Sequence, residues 1–327
     1  MRWEDEKQTK NFEDRTNDKV TSGGDLGDIL GGLGGGSGSG RSGIGLPGGG
    51  LLGIIIIIAM LFLGGGNLGS IFGDLTGTNT QQQTAPKTSQ KSKTTMGDST
   101  DTRKAFSRTV FQMLDDFWGP ESKEYGINYQ SPTLVIYSGK VQTPFGVATS
   151  DMGPFYSPSD QKVYLDTSFQ DELANTYGSK GDYTMAYVLA HEFGHHIQNR
   201  IGLASAMGRL QQQLSKTEYN KYSVCMELQA DYYAGVWTKY LESRTTTKGE
   251  AVLEQGDIEE AIKTASVIGD DFIQKKFTGQ VNPETFTHGS SADRVKYFNL
   301  GYKYGDLEHG DVFADKGLRN PVGTPTR

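Results

Sequence analysis

The stretch "AYVLAHEFGHHIQNRIG", residues 186–202, constrains this chain most, because three of its five histidines fall within six residues around one glutamate. His191 and His195 are four apart. On an α-helix that spacing puts both imidazoles on one face, one turn apart, within reach of a single cation. Glu192 lies about 100° further round the helix, off that coordination direction and beside a water that would share the cation. The arrangement is H-E-x-x-H, two zinc ligands and a general base. The plainer alternative, a polar patch on a helix, leaves the clustering and the register of the glutamate unexplained in a histidine-poor chain. Gly194 offers no packing surface and costs helix propensity, so something must approach closely there. His196 points about 100° away from His195 and reads as a structural or supporting residue, not a ligand.

A catalytic zinc usually has three protein ligands and one open position. The extension H-E-x-x-H-x-x-G-x-x-H fails here, since Gln198 and Ile201 stand at its glycine and histidine positions. The third ligand must come from elsewhere, and "CMELQADYYAGVW" offers it. Glu227 and Asp231 share one face of an otherwise apolar and aromatic helix, where a carboxylate is costly unless paired or metal-bound. Glu227 is then the third ligand. Asp231 accepts a hydrogen bond from the far nitrogen of a ligand histidine and fixes its tautomer. The alternative is a capping or salt-bridging pair on a partly exposed helix. Cys225, the single cysteine, falls on another face and excludes an intrachain disulfide.

Composition along the chain is uneven. Residues 1–43 are charged, then glycine-rich, and read as disordered. "GGGLLGIIIIIAMLFLGGG" has an apolar centre from Leu51 to Leu63 that its uncharged flanks lengthen to a transmembrane anchor at 44–66. A signal peptide is the rival reading, but the run starts about fifty residues in, behind a long segment of mixed charge. A buried strand or helix is the other alternative, but the run lacks an amphipathic neighbour. Arg41 precedes it and Asp74 and Lys87 follow, so the positive-inside bias places the N-terminus in the cytoplasm and the globular part outside, periplasmic or extracellular. Residues 67–98 read as a flexible linker, 99–313 as the folded domain and 314–327 as a flexible tail. The net charge of −7 comes without a basic stripe, which argues against nucleic acid as a partner.

Within the domain, "STDTRKAFSRTVFQMLDDFWG" has helical spacing with Ser99 or Thr100 as its cap. "PTLVIYSG" and "QKVYLD" are strand-like runs, and "SFQDELANTYG" is a helix ended by Gly178. Helical patterns follow at about 183–200, 204–214, 217–242, 257–276 and 291–304. Few strands followed by mostly helices give an α+β class with a small sheet.

HEFGH followed by ELQADYYAGVW, with "GPFYSPSDQKVYLD" before and "FTHGSSADRVKYFNLGY" after, resembles the bacterial family of membrane-anchored neutral zinc metallopeptidases. The resemblance covers most of the chain. It implies a zincin-like fold with a gluzincin-type site, similar in motif order to the M48 peptidases, that holds one zinc ion on His191, His195 and Glu227 with Glu192 as the base. Val163, Tyr164, Leu165 and Asp166 resemble the zincin strand that lines the cleft and pairs with an extended substrate. By the same resemblance His288 donates to the oxyanion and Arg294 braces the site. A solvated surface histidine is the alternative for His288. Tyr232 and Tyr233 are other candidate donors, with core packing as their plainer role, and His309 reads as a surface residue. The family often carries cysteines around GPFY, where this chain has Ser150 and Ser157. The expected function is endopeptidase cleavage of peptides or unfolded proteins at a membrane. The alternative is an inactive zincin-like module that binds peptides through the same groove, and an intact Glu192 speaks against it.

Overall fold

A computed structural model describes residues 1–20 and 99–327 of the protein. The expected helix at the start of the domain forms as α1 (Thr100–Glu124), with Ser99 Oγ accepting from the Thr102 amide at 3.1 Å. Five short strands follow or precede the main helices: β2 (Thr133–Tyr137), β3 (Lys140–Thr143), β4 (Gly146–Thr149), β5 (Phe155–Ser157) and β6 (Lys162–Asp166). With β1 (Phe12–Arg15) they make a four-stranded sheet in the order β1-β2-β6-β5 and a separate β3–β4 hairpin. β1, β2 and β6 run parallel, and β5 returns antiparallel along β6.

The period of two explains how the sheet is buried on both faces. Leu134 and Ile136 of β2 and Val163 and Leu165 of β6 enter the main helical core. Their neighbours Val135, Tyr137 and Tyr164 point the other way, into a smaller cluster with Val141 and Ala148 of the hairpin.

The remaining chain is helical: α2 (Phe169–Thr176), α3 (Asp182–Arg200), α4 (Leu203–Gln213), α5 (Lys216–Glu242), α6 (Asp257–Val267), α7 (Asp270–Thr278), α8 (Ser291–Tyr304) and α9 (Val312–Asp315). The result is α+β, mostly helical with a small sheet, as the sequence pattern indicates. α3 and α5 are buried on nearly all sides, which is why neither shows a sharp apolar stripe. They pass close to one another at Gly194, where an added Cβ would lie 3.2 Å from the Ala230 backbone. α5 and α8 meet through another pair of glycines. A Cβ at Gly235 would fall 2.1 Å from Phe298 O, and one at Gly301 would fall 1.9 Å from Tyr232 O. The single helix expected over 257–276 is two. It breaks at Gly269, whose side-chain position is taken by the Ser291 backbone at 2.3 Å, so the turn before α8 occupies the space a continuous helix would need.

Several expectations about the chain ends are corrected. Residues 1–20 are part of the folded domain. β1 pairs with β2, and the buried Trp3 ring sits 5.3 Å edge-on from Phe106. The Met1 ammonium lies 2.9 Å from Asp182 at the head of α3 and 3.1 Å from Asp257 at the head of α6. Burial opposes its charge, but the two carboxylates hold its pKa above the ordinary value. The proposed span at 44–66 and the linker at 67–98 lie outside the described residues. No helix among the described residues is long and apolar enough to cross a membrane. A single crossing between residues 20 and 99 would also put β1 and β2 on opposite sides of a bilayer, whereas they share one hydrogen-bonded sheet. The single-pass topology, with a cytoplasmic N-terminus and an outside domain, is therefore abandoned. At the other end, residues 314–327 are fastened by Thr324 Oγ1 to Asp311 at 2.7 Å and by Arg327 to Glu121 at 2.7 Å.

If residues 1–20 are structural, Trp3→Ala should cost about 3–5 kcal/mol, the usual range for emptying a buried aromatic site. A shift in the urea unfolding midpoint measures it, and an unchanged midpoint would detach the N-terminal segment from the fold.

Candidate metal centre

α3 carries His191, Glu192 and His195, and the close approach at Gly194 brings Glu227 of α5 up to them. His191 Nε2 is 3.2 Å and His195 Nε2 3.5 Å from Glu227 Oε2. Ligand atoms bound tetrahedrally at zinc distances are separated by about 3.3 Å, so these two spacings suit one such ion. The three residues are buried, and their ligand atoms all lie within 4.8 Å of one another. Glu227 Oε1 and Glu192 Oε2 are buried without a hydrogen-bond partner, as expected of oxygens whose partners are a cation and its water. The donor set of two imidazoles and one carboxylate fits zinc.

The outer nitrogen of His191 donates to Asp231 Oδ1 at 2.8 Å. Asp231 is fully buried and accepts three further bonds: from Arg294 Nε at 2.8 Å, from Arg294 Nη2 at 2.9 Å and from the Tyr187 hydroxyl at 2.5 Å. Burial opposes its ionisation, but Arg294 and His191 outweigh that and hold its pKa at about 2. Burial likewise opposes charge on His191. The Asp231 carboxylate, with Glu227 at Nε2, nonetheless raises its pKa to about 9 in the metal-free site. The two glutamates diverge. Burial raises the pKa of Glu192, with the neighbouring imidazoles only partly opposing it. Glu227 meets the same desolvation, but His195, His288 and the hydrogen bond from His191 hold it ionised.

β5 supplies the remaining wall. The Tyr156 backbone N–H donates to the Glu192 carboxylate. His196 Nε2–H donates to Gln130 O at 2.7 Å, so its Nδ1 accepts from the Tyr156 hydroxyl at 3.0 Å. Burial keeps His196 neutral, with a pKa near 4. It therefore ties β5 to α3 and holds no place in the ligand set.

The structure thus brings His191, Glu192, His195, Glu227, Asp231 and Arg294 together. His288 joins them. It is buried, with Nε2 3.8 Å from Glu227 Oε2, and its loop is shaped by Asp270 Oδ2, which accepts from the amides of Thr287, His288 and Gly289. The solvated-histidine alternative is thereby removed. Tyr232 reaches away to Asp306, and Tyr233 packs on Trp118. Val163–Asp166 requires correction. This strand, β6, lies between β2 and β5: β2 pairs along its whole length and β5 covers Lys162–Tyr164, so Val163 and Tyr164 have no free edge for a substrate. β5 is the outer strand on the side of the metal helix. Sequence reasoning missed Tyr187 and Gln198. Each is one turn from a ligand histidine on α3, and that spacing was the available signal.

A family model described as "Putative neutral zinc metallopeptidase" matches residues 1–313. The chain belongs to this family. It is 38% identical over 315 residues to the uncharacterized protein YpfJ of Escherichia coli (strain K12), covering 96% of this chain and 99% of that one. It is 42% identical over 198 residues to the uncharacterized protein Rv2575 of Mycobacterium tuberculosis, covering 58% of this chain and 65% of that one. No solved structure matches.

Two outcomes test the centre of this zinc metallopeptidase family member. Removing the Asp231 carboxylate in Asp231→Ala should weaken zinc binding about 10–100-fold in a chelator competition. It should also cost about 3–5 kcal/mol in urea unfolding, because Arg294 is left buried and unpaired. In the metal-free protein His191 holds its proton up to about pH 9, so zinc must displace it. Zinc affinity should therefore rise with pH towards 9. Calorimetry in buffers of different ionisation enthalpy should show about one proton released at pH 7, and no release would refute the assignment of His191.

Proposed function

We propose that the protein is a zinc-dependent endopeptidase that hydrolyses peptide bonds with Glu192 as general base. The observation that carries this reading is geometric: the ligand atoms of His191, His195 and Glu227 lie within 4.8 Å of one another, next to the buried Glu192 carboxylate. Glu227 stays ionised among imidazoles while Glu192 is made more basic, with one oxygen left without a partner. That is the pattern of a ligand beside a proton acceptor. His191, His195 and Glu227 would hold the ion. When bound, zinc supplies Lewis acidity, polarising the scissile carbonyl and acidifying a water.

The chain's own groups do the rest. Glu192 takes the proton of the attacking water and delivers it to the leaving amine. The Tyr156 amide holds the Glu192 carboxylate in place. Asp231 keeps the His191 Nδ1–H bond, which turns Nε2 towards the ligand cluster. His288, whose Nε2 has no hydrogen-bond partner and lies 3.8 Å from Glu227 Oε2, would donate to the oxyanion. An extended peptide would pass the outer side of β5, whose Tyr156 N–H is already committed to Glu192. Peptides and unfolded proteins are therefore the expected substrate class.

The experiment compares parent protein and Glu192→Gln for zinc content and for cleavage of an unstructured protein. The substitution should keep zinc and lower cleavage about 10²–10⁴-fold, the range ascribed to a positioned base. Unchanged cleavage would overturn the mechanism. His288→Phe should lower kcat with less effect on KM, and an unchanged kcat would remove His288 from the reaction.

A further inference from the structure

The two ligand histidines lean on unlike partners. His191 donates to a carboxylate, whereas His195 Nδ1 lies 2.8 Å from the side-chain oxygen of Gln198. Gln198 is fully buried and one turn further along α3. Its Nε2 donates to the Met226 carbonyl at 2.7 Å and to Gln229 Oε1 at 3.1 Å. Gln229 Nε2 in turn donates to the Gly310 carbonyl at 3.0 Å.

The polarity of this chain is fixed at both ends, because peptide carbonyls only accept. Gly310 O requires the amide nitrogen of Gln229 to face it, which turns Gln229 Oε1 towards Gln198. Met226 O and Gln229 Oε1 both require hydrogens from Gln198, and its two amide hydrogens are thereby used. Gln198 Oε1 must then face His195 and accept from it. His195 consequently carries its hydrogen on Nδ1 and keeps the Nε2 lone pair for the metal.

We propose that Gln198 is a positioning residue that fixes the tautomer and ring orientation of His195, and that Gln229 links this control to the C-terminal segment at Gly310. The inference rests on the zinc-site reading above and extends it to residues outside the ligand set. The neutral amide has an electrostatic reason. Glu192, Glu227, Asp231 and, beside His288, Asp270 already put four buried carboxylates around the site. A carboxylate at position 198 would add a fifth and would face the Met226 carbonyl instead of donating to it. Met226 also adjoins Glu227, so one turn of α5 supplies the third ligand and sets the tautomer of the second.

The test uses the full chain, loaded with zinc or cobalt. Gln198→Met keeps the side-chain volume and removes both amide functions. Zinc affinity should fall about 10–100-fold in a chelator competition, and the visible absorption of the cobalt-loaded protein should shift as the His195 ring turns. Gln198→Glu should weaken zinc at least as much, since it retains an acceptor but loses the donor to Met226 O. Parent-like affinity and cobalt spectrum in Gln198→Met would overturn the proposal while leaving the zinc site intact. Lower metal-free stability with unchanged affinity would overturn it too, reducing Gln198 to packing. A parent protein that binds no zinc would instead sink the zinc-site reading itself. If Gln198→Met does not fold, Gln229→Leu serves, because Gln198 keeps its bond to Met226 O. A loss of zinc affinity smaller than in the Gln198 variants, of less than about tenfold, supports the link to Gly310, and none overturns it.

Discussion

The Asp231 carboxylate is the junction on which this architecture turns. It sits fully buried on α5, receives His191 and Tyr187 from α3, and is clasped by the Nε–Nη2 edge of the Arg294 guanidinium from α8. A buried charge of this kind is tolerable only if every partner is in place, so three helices must pack in one relative arrangement to satisfy it. That arrangement fixes the direction in which His191 points. The missing side chains at Gly194, Gly235 and Gly301 let the helices come close enough for these short polar bonds to form. Packing and chemistry are thus one constraint: the helix separation that satisfies Asp231 also brings Glu227 to the histidines.

Around this junction the charges are graded. Glu227 is surrounded by imidazoles and stays ionised. Glu192, at the cleft wall and anchored by the Tyr156 amide, is more basic than an ordinary glutamate. His196 is kept neutral and ties the outer strand to the metal helix, so the distance from strand to site is set by a hydrogen-bonded side chain and not by loop length. The two ligand histidines have different outer partners, an anion for one and an amide for the other, so the second adds no further buried charge.

Much of the helical framework was legible because its signals are local. Ser99 caps α1, Gly178 follows α2, and the spacing within 183–200 and 217–242 foretold α3 and α5. The break at Gly269 was not legible, since its cause is the Ser291 backbone, twenty-two positions further along the chain. β1 and β5 were missed because they are only four and three residues long, and their strand character comes from pairing across the sheet. The choice of β6 as the substrate strand failed for the same reason. A strongly apolar run marks a strand buried on both faces, and such a strand tends to be interior, whereas the outer strand is inconspicuous.

The amino-acid sequence by itself determined the ligand chemistry: H-E-x-x-H on one helical face, and a Glu–Asp pair four apart on a second, apolar helix. Helical periodicity converts spacing into direction without reference to the rest of the chain. Only the tertiary structure decided what those groups face. It placed Arg294 and Tyr187 on Asp231, buried His288 beside Glu227, set Gln198 against His195, made β5 the outer strand and folded residues 1–20 into the same sheet as β2. Each of these depends on contacts between segments far apart in the chain, and such contacts are fixed by packing, which no local pattern encodes.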